Sequence, residues 1–232
     1  ESIVQLAKSE RESAWREMAR QIAHEIKNPL TPMKLNIQFM LRSLQMEDTE
    51  KFKERFRAVS GMLIEQIDNM AAIASAFSDF AKMSEAHNET FEVDELVRNC
   101  SLLFKNNTEE LECDVEEGIR ILADREQMRR VLINLLKNAS DYSGEQTTIH
   151  IWTEDNPMYT RIYVKDEGCG IAESELKNIF KRFYRINKEV NPNSVGIGLS
   201  LTKSIVEGMG GKISVRSELG CYTQFILTFV HT

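Results

Sequence analysis

Cysteine is scarce in this sequence, and its four copies, Cys100, Cys113, Cys169 and Cys221, lie far apart. No CxxC pair and no cluster of histidines accompanies them. This spacing argues against a disulfide framework or a zinc site and favours reduced thiols in a cytosolic compartment. Long apolar runs are missing as well. None approaches the roughly 20 residues that a membrane-spanning helix requires, and the first residues lack the apolar core of a signal peptide.

Basic residues are in the minority, with 29 lysines and arginines against 36 aspartates and glutamates, and the net charge of the 232 residues is −7. A protein held to nucleic acid by phosphate contacts needs a basic face, so we expect no nucleic-acid partner. Because the first residues already follow a helical pattern, we expect the chain to be a piece of a longer protein.

Glycine is almost absent from residues 1–87, where only Gly61 occurs, and the other ten glycines follow. In this glycine-poor part, two stripes of apolar residues recur at steps of three and four, the period of an α-helix. The first stripe is Trp15, Met18, Ile22, Ile26, Leu30, Met33, Ile37, Leu41 and Leu44, and the second is Phe52, Phe56, Val59, Leu63, Ile67, Met70, Ile73, Phe77 and Phe80. An isolated hairpin cannot cover both stripes, so we predict a homodimer in which two hairpins form a four-helix bundle.

Pro29 and Pro32 lie inside the first stripe. Proline removes a backbone hydrogen bond and crowds the preceding turn, so it kinks or ends a helix. Since the stripe continues in phase beyond both prolines, we predict a kinked but continuous helix. The alternative is a helix that ends at Asn28.

The remainder of the chain alternates strand-like and helix-like stretches. Strands are predicted at 147–153, 160–165, 212–217 and 223–230, and helices at 93–104, 125–140 and 199–208. Strands paired mainly as hairpins, with helices on one face, indicate an α/β sandwich. We therefore predict two domains, 1–87 and 88–232, that join near residues 84–88.

His24 is the first candidate for chemistry. It lies two positions from Ile22 and two from Ile26, about 200° around the helix from each, so its ring must point away from the core. Asn28 shares its face one turn later, and Glu25 lies about a quarter-turn aside. A near-neutral imidazole is a competent nucleophile at cellular pH, and a neighbouring carboxylate and amide could orient its proton and a water. By position alone, an ordinary surface histidine stays open.

Asn134 and Asn138 share one face of the predicted helix 125–140, and Tyr142 follows a further turn along. Amide oxygens are neutral hard ligands that suit a Mg²⁺ ion already bound to phosphates. Taken alone, the pair is equally well explained as two solvated asparagines.

Asp166 follows a predicted strand and precedes Gly168 and Gly170. A carboxylate at a strand end, beside glycines that let the backbone approach a flat ligand, suits recognition of the amino group of a base. Turns that contain aspartate and glycine are common, so this motif alone is weak.

Gly196 and Gly198 stand at the predicted start of a helix. Backbone amides at such a start favour anions, although neither the P-loop nor the dinucleotide-binding pattern is present. The preceding segment, 180–195, mixes aromatic and basic residues with Asn-Pro. We predict a mobile lid there, with an ordinary surface loop as the alternative.

The order of these motifs resembles that of the two-component sensor histidine kinases. The sequence matches the H-box of this family at 24–29, the N-box at 134–138, the first G-box at 166–170, the F-box at 180–183 and the second G-box at 196–198. The resemblance covers nearly the whole chain. Residues 14–19 and 22–32 further resemble the nitrogen-regulation branch.

The resemblance implies an α+β fold, in which a dimerising helical hairpin precedes an α/β sandwich of the Bergerat (GHKL) type. It implies ATP and Mg²⁺ as ligands, with Asp166 on the adenine amino group and Asn138 on Mg²⁺, next to Asn134. The other nucleotide-binding residues that it implies are Lys137, Tyr142, Gly168, Gly170, Phe180, Arg185, Gly196, Gly198, Leu199 and Thr223.

The resemblance also implies the reaction. The γ-phosphoryl group would move in line onto His24, with Glu25 as base or orienting group, and then onto an aspartate in the receiver domain of a response regulator. Asn28 would position water for removal of phosphate from that regulator. We expect the chain to be the cytoplasmic portion of a protein that is anchored in the bacterial inner membrane through segments absent here.

Two positions depart from the family pattern. Ser200 stands where a third glycine is common, and Gly220-Cys-Tyr-Thr223 is a loose form of the last glycine motif. We expect nucleotide binding to survive the serine.

The alternatives are a hydrolytic ATPase or serine-directed kinase of the same superfamily, and a degenerate kinase that serves as a dimeric scaffold. Those enzymes resemble one another in carrying a glutamate four residues before the Mg²⁺ asparagine. Here that residue is Asn134, whose amide cannot act as a general base. The scaffold is disfavoured because all of the expected active residues are present.

Overall fold

The computed structural model of the chain describes residues 2–43, 49–81, 87–104, 110–143, 147–186 and 196–231. The chain divides into two compact units, of which the first holds two long helices and the second holds all remaining elements. The predicted domain junction at 84–88 falls mostly outside the described residues.

The first unit consists of α1 (Ser2–Ser43) and α2 (Thr49–Ala81). Helix α1 runs through both Pro29 and Pro32. The prediction of a continuous helix is confirmed, and the alternative of an end at Asn28 is wrong. The in-phase apolar residues on both sides of the prolines are consistent with this continuity, because they keep a single apolar face along the helix.

The two helices of the first unit bury only part of their apolar stripes against each other. Ile22, Val59 and Ile73 are buried, and the guanidinium of Arg55 lies 5.5 Å from the ring centroid of Phe39. Other members of the two stripes are about half exposed, namely Leu30, Ile37, Leu41, Phe56 and Ile67. The hairpin therefore presents a substantial apolar surface.

The second unit contains seven strands and three helices among its described residues. In chain order these are β1 (Glu89–Glu92), α3 (Val93–Leu102), β2 (Glu110–Asp114), β3 (Arg120–Ala123), α4 (Arg125–Tyr142), β4 (Thr148–Asp155), β5 (Tyr159–Asp166), α5 (Gly198–Gly208), β6 (Lys212–Glu218) and β7 (Tyr222–Val230). The main sheet has the order β2-β4-β5-β7-β6, and β1 pairs with β3 in a separate ribbon. All strand pairs are antiparallel except β2 with β4, which is parallel.

The core of the second unit lies between one face of the main sheet and the helices. Burial alternates near both ends of β5 and β7, whereas three consecutive residues in the middle of each strand, 162–164 and 225–227, are buried. The largest fully buried side chains on this face and on α4 are Ile151, Ile162, Val164, Leu227, Met128, Leu132, Leu135 and Leu136. The predicted α/β sandwich is confirmed, and the predicted helices and strands end within two residues of the observed ones.

Asp124 connects the start of α4 to the first described residues of the unit. Its Oδ1 accepts the backbone N–H of Gln127 at 3.0 Å, which caps the helix. Its Oδ2 accepts the backbone N–H of His87, also at 3.0 Å. Burial alone would raise the pKa of Asp124, but these backbone donors outweigh burial and lower the pKa below its usual value. The carboxylate therefore stabilises the fold in its charged form.

We predict that Asp124→Ala lowers the free energy of unfolding of this unit by about 1–2 kcal/mol, because the cap and the anchor of His87 are both lost. Asp124→Asn is the matched control, since its amide oxygen can still accept from Gln127. Urea unfolding followed by the fluorescence of Trp152 measures the change, in a Trp15→Phe background that leaves one tryptophan. Because the folded pKa is lowered, the difference from wild type should shrink as the pH falls below about 4. Identical unfolding midpoints at neutral pH would contradict this role.

Candidate active site

Helix α4 carries a polar face along one side of the second unit. Asn134, Asn138 and Tyr142 follow one another at intervals of four residues, and all three are half-buried. The opposite side of α4 is buried in the core, so these three side chains border the protein surface. Lys137 also lies on α4, but its side chain is exposed.

Asp166 ends β5 as a buried carboxyl group with 5% of its surface exposed. Its Oδ1 accepts the backbone N–H of Gly168 at 3.0 Å, and Thr223 lies directly opposite on β7. Burial raises the pKa of Asp166 to about 6, against the opposing effect of backbone donors at Gly168 and Thr223. The carboxyl group is therefore costly to ionise in the chain alone, and a further donor from a ligand would offset that cost.

The turn after Asp166 is pressed against α4. A Cβ on Gly168 would overlap the carbonyl oxygen of Tyr142, and the N–H of Cys169 donates to that same oxygen at 3.3 Å. Gly170 has φ of 62° and packs so closely on Glu218 that a Cβ there would overlap its carbonyl oxygen. Only glycine fits these two positions, which hold the Asp166 turn between α4 and the turn from β6 to β7.

The start of α5 forms the other end of the site. Among the described residues, no side chain accepts a hydrogen bond from its first amides, and its first turn has no acidic residue. The N–H groups of Gly198 and Leu199 therefore remain open to an anion. A Cβ on Gly198 would lie 2.6 Å from Oδ1 of Asn134, so this helix start also touches α4. At Ser200, the hydroxyl donates to the carbonyl oxygen of Ile197 at 2.8 Å within the same turn.

The segment that precedes α5 is tied down at both of its described ends. The ring of Phe180 meets that of Phe225 edge to face with centroids 6.4 Å apart. The N–H of Phe183 donates to the carbonyl oxygen of Gly196 at 2.8 Å. Most of the predicted lid, residues 187–195, lies outside the described residues.

Tyr142 and Arg185 lie near each other at the Asp166 end of the site. Burial raises the pKa of Tyr142, and the charge of Arg185 acts in the opposite direction. A Cβ on Gly196 would lie 3.0 Å from Cγ of Arg185, so the Arg185 side chain also borders the segment just before α5.

His24 lies in the first unit, on the side of α1 that periodicity predicts. Its side chain and that of Asn28 are exposed, whereas Glu25 is half-buried and Ile22 is buried. The predicted outward orientation of the imidazole is confirmed.

In the second unit, most of the residues that the sequence pattern indicated therefore lie on α4 or on segments that contact it. Contacts to α4 join the Asp166 turn at Tyr142 and the α5 start at Asn134, and Thr223 adjoins Asp166.

Two residues were missed. Ser217 has its hydroxyl 3.1 Å from that of Thr223, and Thr202 accepts a hydrogen bond from Asn134. Each is a hydroxyl on the covered face of a regular element, where the sequence pattern indicates only packing.

The arrangement fits a nucleotide with a divalent ion. Asn134 and Tyr142 are eight residues apart, about 12 Å along the helix. The buried acceptor Asp166 lies at the Tyr142 end and the open start of α5 at the Asn134 end, so the two lie roughly a nucleotide's length apart.

The described residues contain no group of three or more histidine, cysteine, aspartate or glutamate side chains that could hold a metal. A metal ion here would need Asn138 together with oxygens from the ligand.

None of the helices in the described part of the chain combines the length and the apolar composition that crossing a membrane requires.

We predict that Asp166→Asn stabilises the nucleotide-free chain above pH 6. Folding raises the pKa of Asp166 from 3.8 to about 6, so the folded chain binds the proton more tightly and loses stability as the pH rises through that interval. Above it the cost is on the order of 3 kcal/mol. A neutral amide avoids this cost but accepts fewer of the backbone donors at Gly168 and Thr223, so the net gain is smaller. Thermal unfolding across this pH range should show the largest gain above pH 6 and a declining gain towards pH 4.

The same variant should bind ATP about ten to a hundred times more weakly. Because the N–H of Gly168 already donates to Oδ1, the amide must keep its oxygen there and turn its NH₂ group towards the ligand. In the predicted pairing the adenine amino group is also a donor, so the variant would lose that hydrogen bond. Glu167→Gln, at the exposed neighbouring carboxyl, is the control for both measurements. A variant less stable than wild type above pH 6, or one with unchanged ATP affinity, would overturn this role for Asp166.

Two family models match the chain. Residues 14–86 match the His Kinase A (phospho-acceptor) domain. Residues 123–232 match the histidine kinase-, DNA gyrase B-, and HSP90-like ATPase family.

Curated relatives cover most of this chain. Sensor protein KdpD of Clostridium acetobutylicum is 31% identical over 210 residues, which are 88% of this chain and 23% of that protein. Nitrogen regulation protein NtrY of Azorhizobium caulinodans is 28% identical over 225 residues, 93% of this chain and 28% of that protein. The chain spans less than a third of the length of either relative. Since the two match at similar identity, they do not separate the nitrogen-regulation branch from others.

Solved structures show the same architecture. The crystal structure of histidine kinase ThkA in complex with response regulator protein TrrA matches with a TM-score of 0.69 and 27% identity, over 97% of this chain and 64% of that chain. Both family models and this structure are named for histidine kinases, and KdpD is a sensor protein. The chain therefore belongs to the two-component sensor histidine kinases, of which it carries the phospho-acceptor hairpin and the ATPase-like unit.

Proposed function

We propose that this chain transfers the γ-phosphoryl group of ATP to His24 and passes it on to an aspartate in the receiver domain of a response regulator. The observation that carries the proposal is the exposed imidazole of His24, with the Asn28 amide on the same face, in the unit that matches the phospho-acceptor domain. The second unit matches an ATPase family and carries a site that fits a nucleotide.

His24 has the properties that an acceptor needs. An exposed imidazole is accessible, so a ring nitrogen with a free lone pair can attack the γ-phosphorus in line. Glu25, half-buried next to it, is the proposed base or orienting group for the imidazole. The bond from the γ-phosphorus to the β–γ bridging oxygen breaks and ADP leaves, which gives a phosphohistidine whose phosphoryl group then moves to the aspartate of the regulator.

The nucleotide would lie along α4. Asp166 would accept the adenine amino group beside Thr223, Gly168 and Gly170, and Asn138 would hold Mg²⁺. The groups proposed for the phosphates and their surroundings are Gly196, Gly198, Leu199, Asn134, Lys137, Tyr142, Phe180 and Arg185. Bound Mg²⁺ would neutralise phosphate charge as it develops in the transition state.

The regulator is the proposed partner because ThkA, which matches 97% of this chain, was solved in complex with response regulator protein TrrA. We include phosphatase activity towards the regulator, with Asn28 positioning the attacking water. Its exposed amide lies one helical turn from His24, and this proximity to the proposed phosphoryl acceptor supports the role. The cytoplasmic location and the anchor outside this chain stay part of the proposal.

Asn134 favours phosphotransfer over hydrolysis. A general base at this position would activate water, but an amide cannot accept a proton at neutral pH. Its nitrogen donates to Thr202 at 2.8 Å, so the side chain is already committed to the neighbouring helix. This contact argues against the hydrolytic ATPase and the serine-directed kinase.

We also propose that the chain acts as a homodimer with domains 1–87 and 88–232. The half-exposed stripe residues of α1 and α2 support it, because a monomer would leave this apolar surface in water. A second copy would cover both stripes in a four-helix bundle.

The acceptor is tested with γ-³²P-ATP. His24→Gln should bind ATP like wild type and take up no label, because the only proposed acceptor nitrogen is lost. His87→Gln, at another exposed histidine, should label normally. The wild-type label should be acid-labile and alkali-stable, as expected of phosphohistidine. Label that persists on the His24 variant would refute the assignment, and phosphate release without any label on the wild type would favour a hydrolase.

The dimer is tested by sedimentation. Ile37 lies on the first stripe and is 47% exposed, so Ile37→Glu should place a charge in the interface and shift the chain towards monomer. Leu35 is 59% exposed but lies off the stripe, so Leu35→Glu is the control and should leave the dimer intact. Equal effects of the two substitutions, or a monomeric wild type, would contradict the predicted interface.

A further inference from the structure

The side chain of Asn134 spans the first turn of α5. Its Nδ2 donates to Oγ1 of Thr202 at 2.8 Å. Its Oδ1 lies next to Gly198, where an added Cβ would come within 2.6 Å. Gly198 and Thr202 are four residues apart and so share a face of α5. One amide on α4 is therefore fitted against both ends of this turn.

Thr202 differs from the other hydroxyl residues of α5. Ser200 donates to the carbonyl of Ile197, and Ser204 donates to the carbonyl of Ser200 at 3.0 Å. Both bonds stay within the helix or its cap. Thr202 is 2% exposed and bonds instead to a residue 68 positions earlier in the chain. Its hydroxyl thus connects two helices, whereas the serine hydroxyls do not.

The two connected helices carry different parts of the phosphate end of the site. Asn138 lies one turn after Asn134 on α4, and the open amides of Gly198 and Leu199 lie at the start of α5. The hydrogen bond fixes the separation between these groups. The adenine end is held independently, because the Asp166 turn packs on the carbonyl of Tyr142.

We propose that Thr202 is a positioning residue, which holds Asn134 and thereby sets the phosphate-binding amides of α5 at the correct distance from Asn138. Without this bond α5 would shift relative to α4 at its first turn. Phosphate recognition would suffer, and adenine recognition would not. The inference deepens the proposed function and rests on it.

The decisive variant is Thr202→Val, which keeps the shape of threonine and removes the hydroxyl. Its affinity for MgATP should fall about tenfold, because a hydrogen bond of ordinary strength biases an equilibrium by roughly that factor. Its affinity for adenosine, which has no phosphates, should stay at the wild-type value. Titration calorimetry measures the first ligand, and displacement of a fluorescent adenine nucleotide measures the second.

Two controls separate positioning from general destabilisation. Thr202→Ser retains the hydroxyl and should restore MgATP affinity to within about threefold of wild type. Ser204→Ala removes a hydroxyl that bonds only within α5 and should leave both affinities unchanged. Wild-type MgATP affinity in Thr202→Val, an equal loss for MgATP and adenosine, or no rescue by serine would each overturn the proposal.

The outcome is separable from that of the proposed function. Binding to both ligands is measured without phosphotransfer, so the role of Thr202 stands or falls on the ratio of the two affinities. Failure of the proposed function would appear instead as a wild-type chain that binds MgATP and leaves His24 unlabelled.

Discussion

Helix α4 is held against backbone on both sides of Asn138, and the proposed nucleotide site depends on these two close approaches. The carbonyl oxygen of Tyr142 occupies the space of a Cβ on Gly168, and the amide of Asn134 leaves only 2.6 Å for a Cβ on Gly198. A side chain at either glycine would push a loop or a helix away from α4. Because the other face of α4 is fully buried, the helix cannot move to make room. Asn138 therefore keeps fixed distances to a carboxyl at one end and to helix amides at the other.

Both ends of the site are unfavourable in the chain alone. At one end, Asp166 is buried, which raises its pKa to about 6, and at the other α5 begins without a side-chain cap among the described residues. Helix α4, in contrast to α5, has a side-chain cap. Asp124 caps its start, and the pKa of this carboxyl group is lowered. The two helices belong to one unit, so the difference is local. An aspartate before α5 would stabilise the free chain, but its charge would repel the phosphates that the open amides attract. The free chain is therefore less stable than it could be at the two positions where the proposed ligand would bind.

The sequence predicted the elements with strong periodicity and missed those whose structure depends on distant partners. The steps of three and four in α1 indicated both its passage through Pro29 and the outward side of His24. The strands β1, β2 and β3 have four or five residues each, too few for a period to appear, and β2 pairs in parallel with a distant strand. Thr202 was missed for a related reason. A threonine on the apolar face of a helix is typical of packing, and only the fold shows its bond to Asn134.

The chemistry of the site follows from what stands at Asn134. A carboxylate at this position would have no N–H to donate to Thr202. It would also place a negative charge one turn from Asn138, close to the phosphates of the proposed ligand. It could also draw a proton from water and direct the phosphoryl group to hydrolysis. The amide donates to Thr202 and remains uncharged, so it strengthens the connection between the helices and offers no base. With water left unactivated, transfer needs a nucleophile that is already reactive when neutral. The exposed imidazole of His24, the proposed acceptor, carries a ring nitrogen that can attack without a base, whereas a serine hydroxyl needs a base to remove its proton.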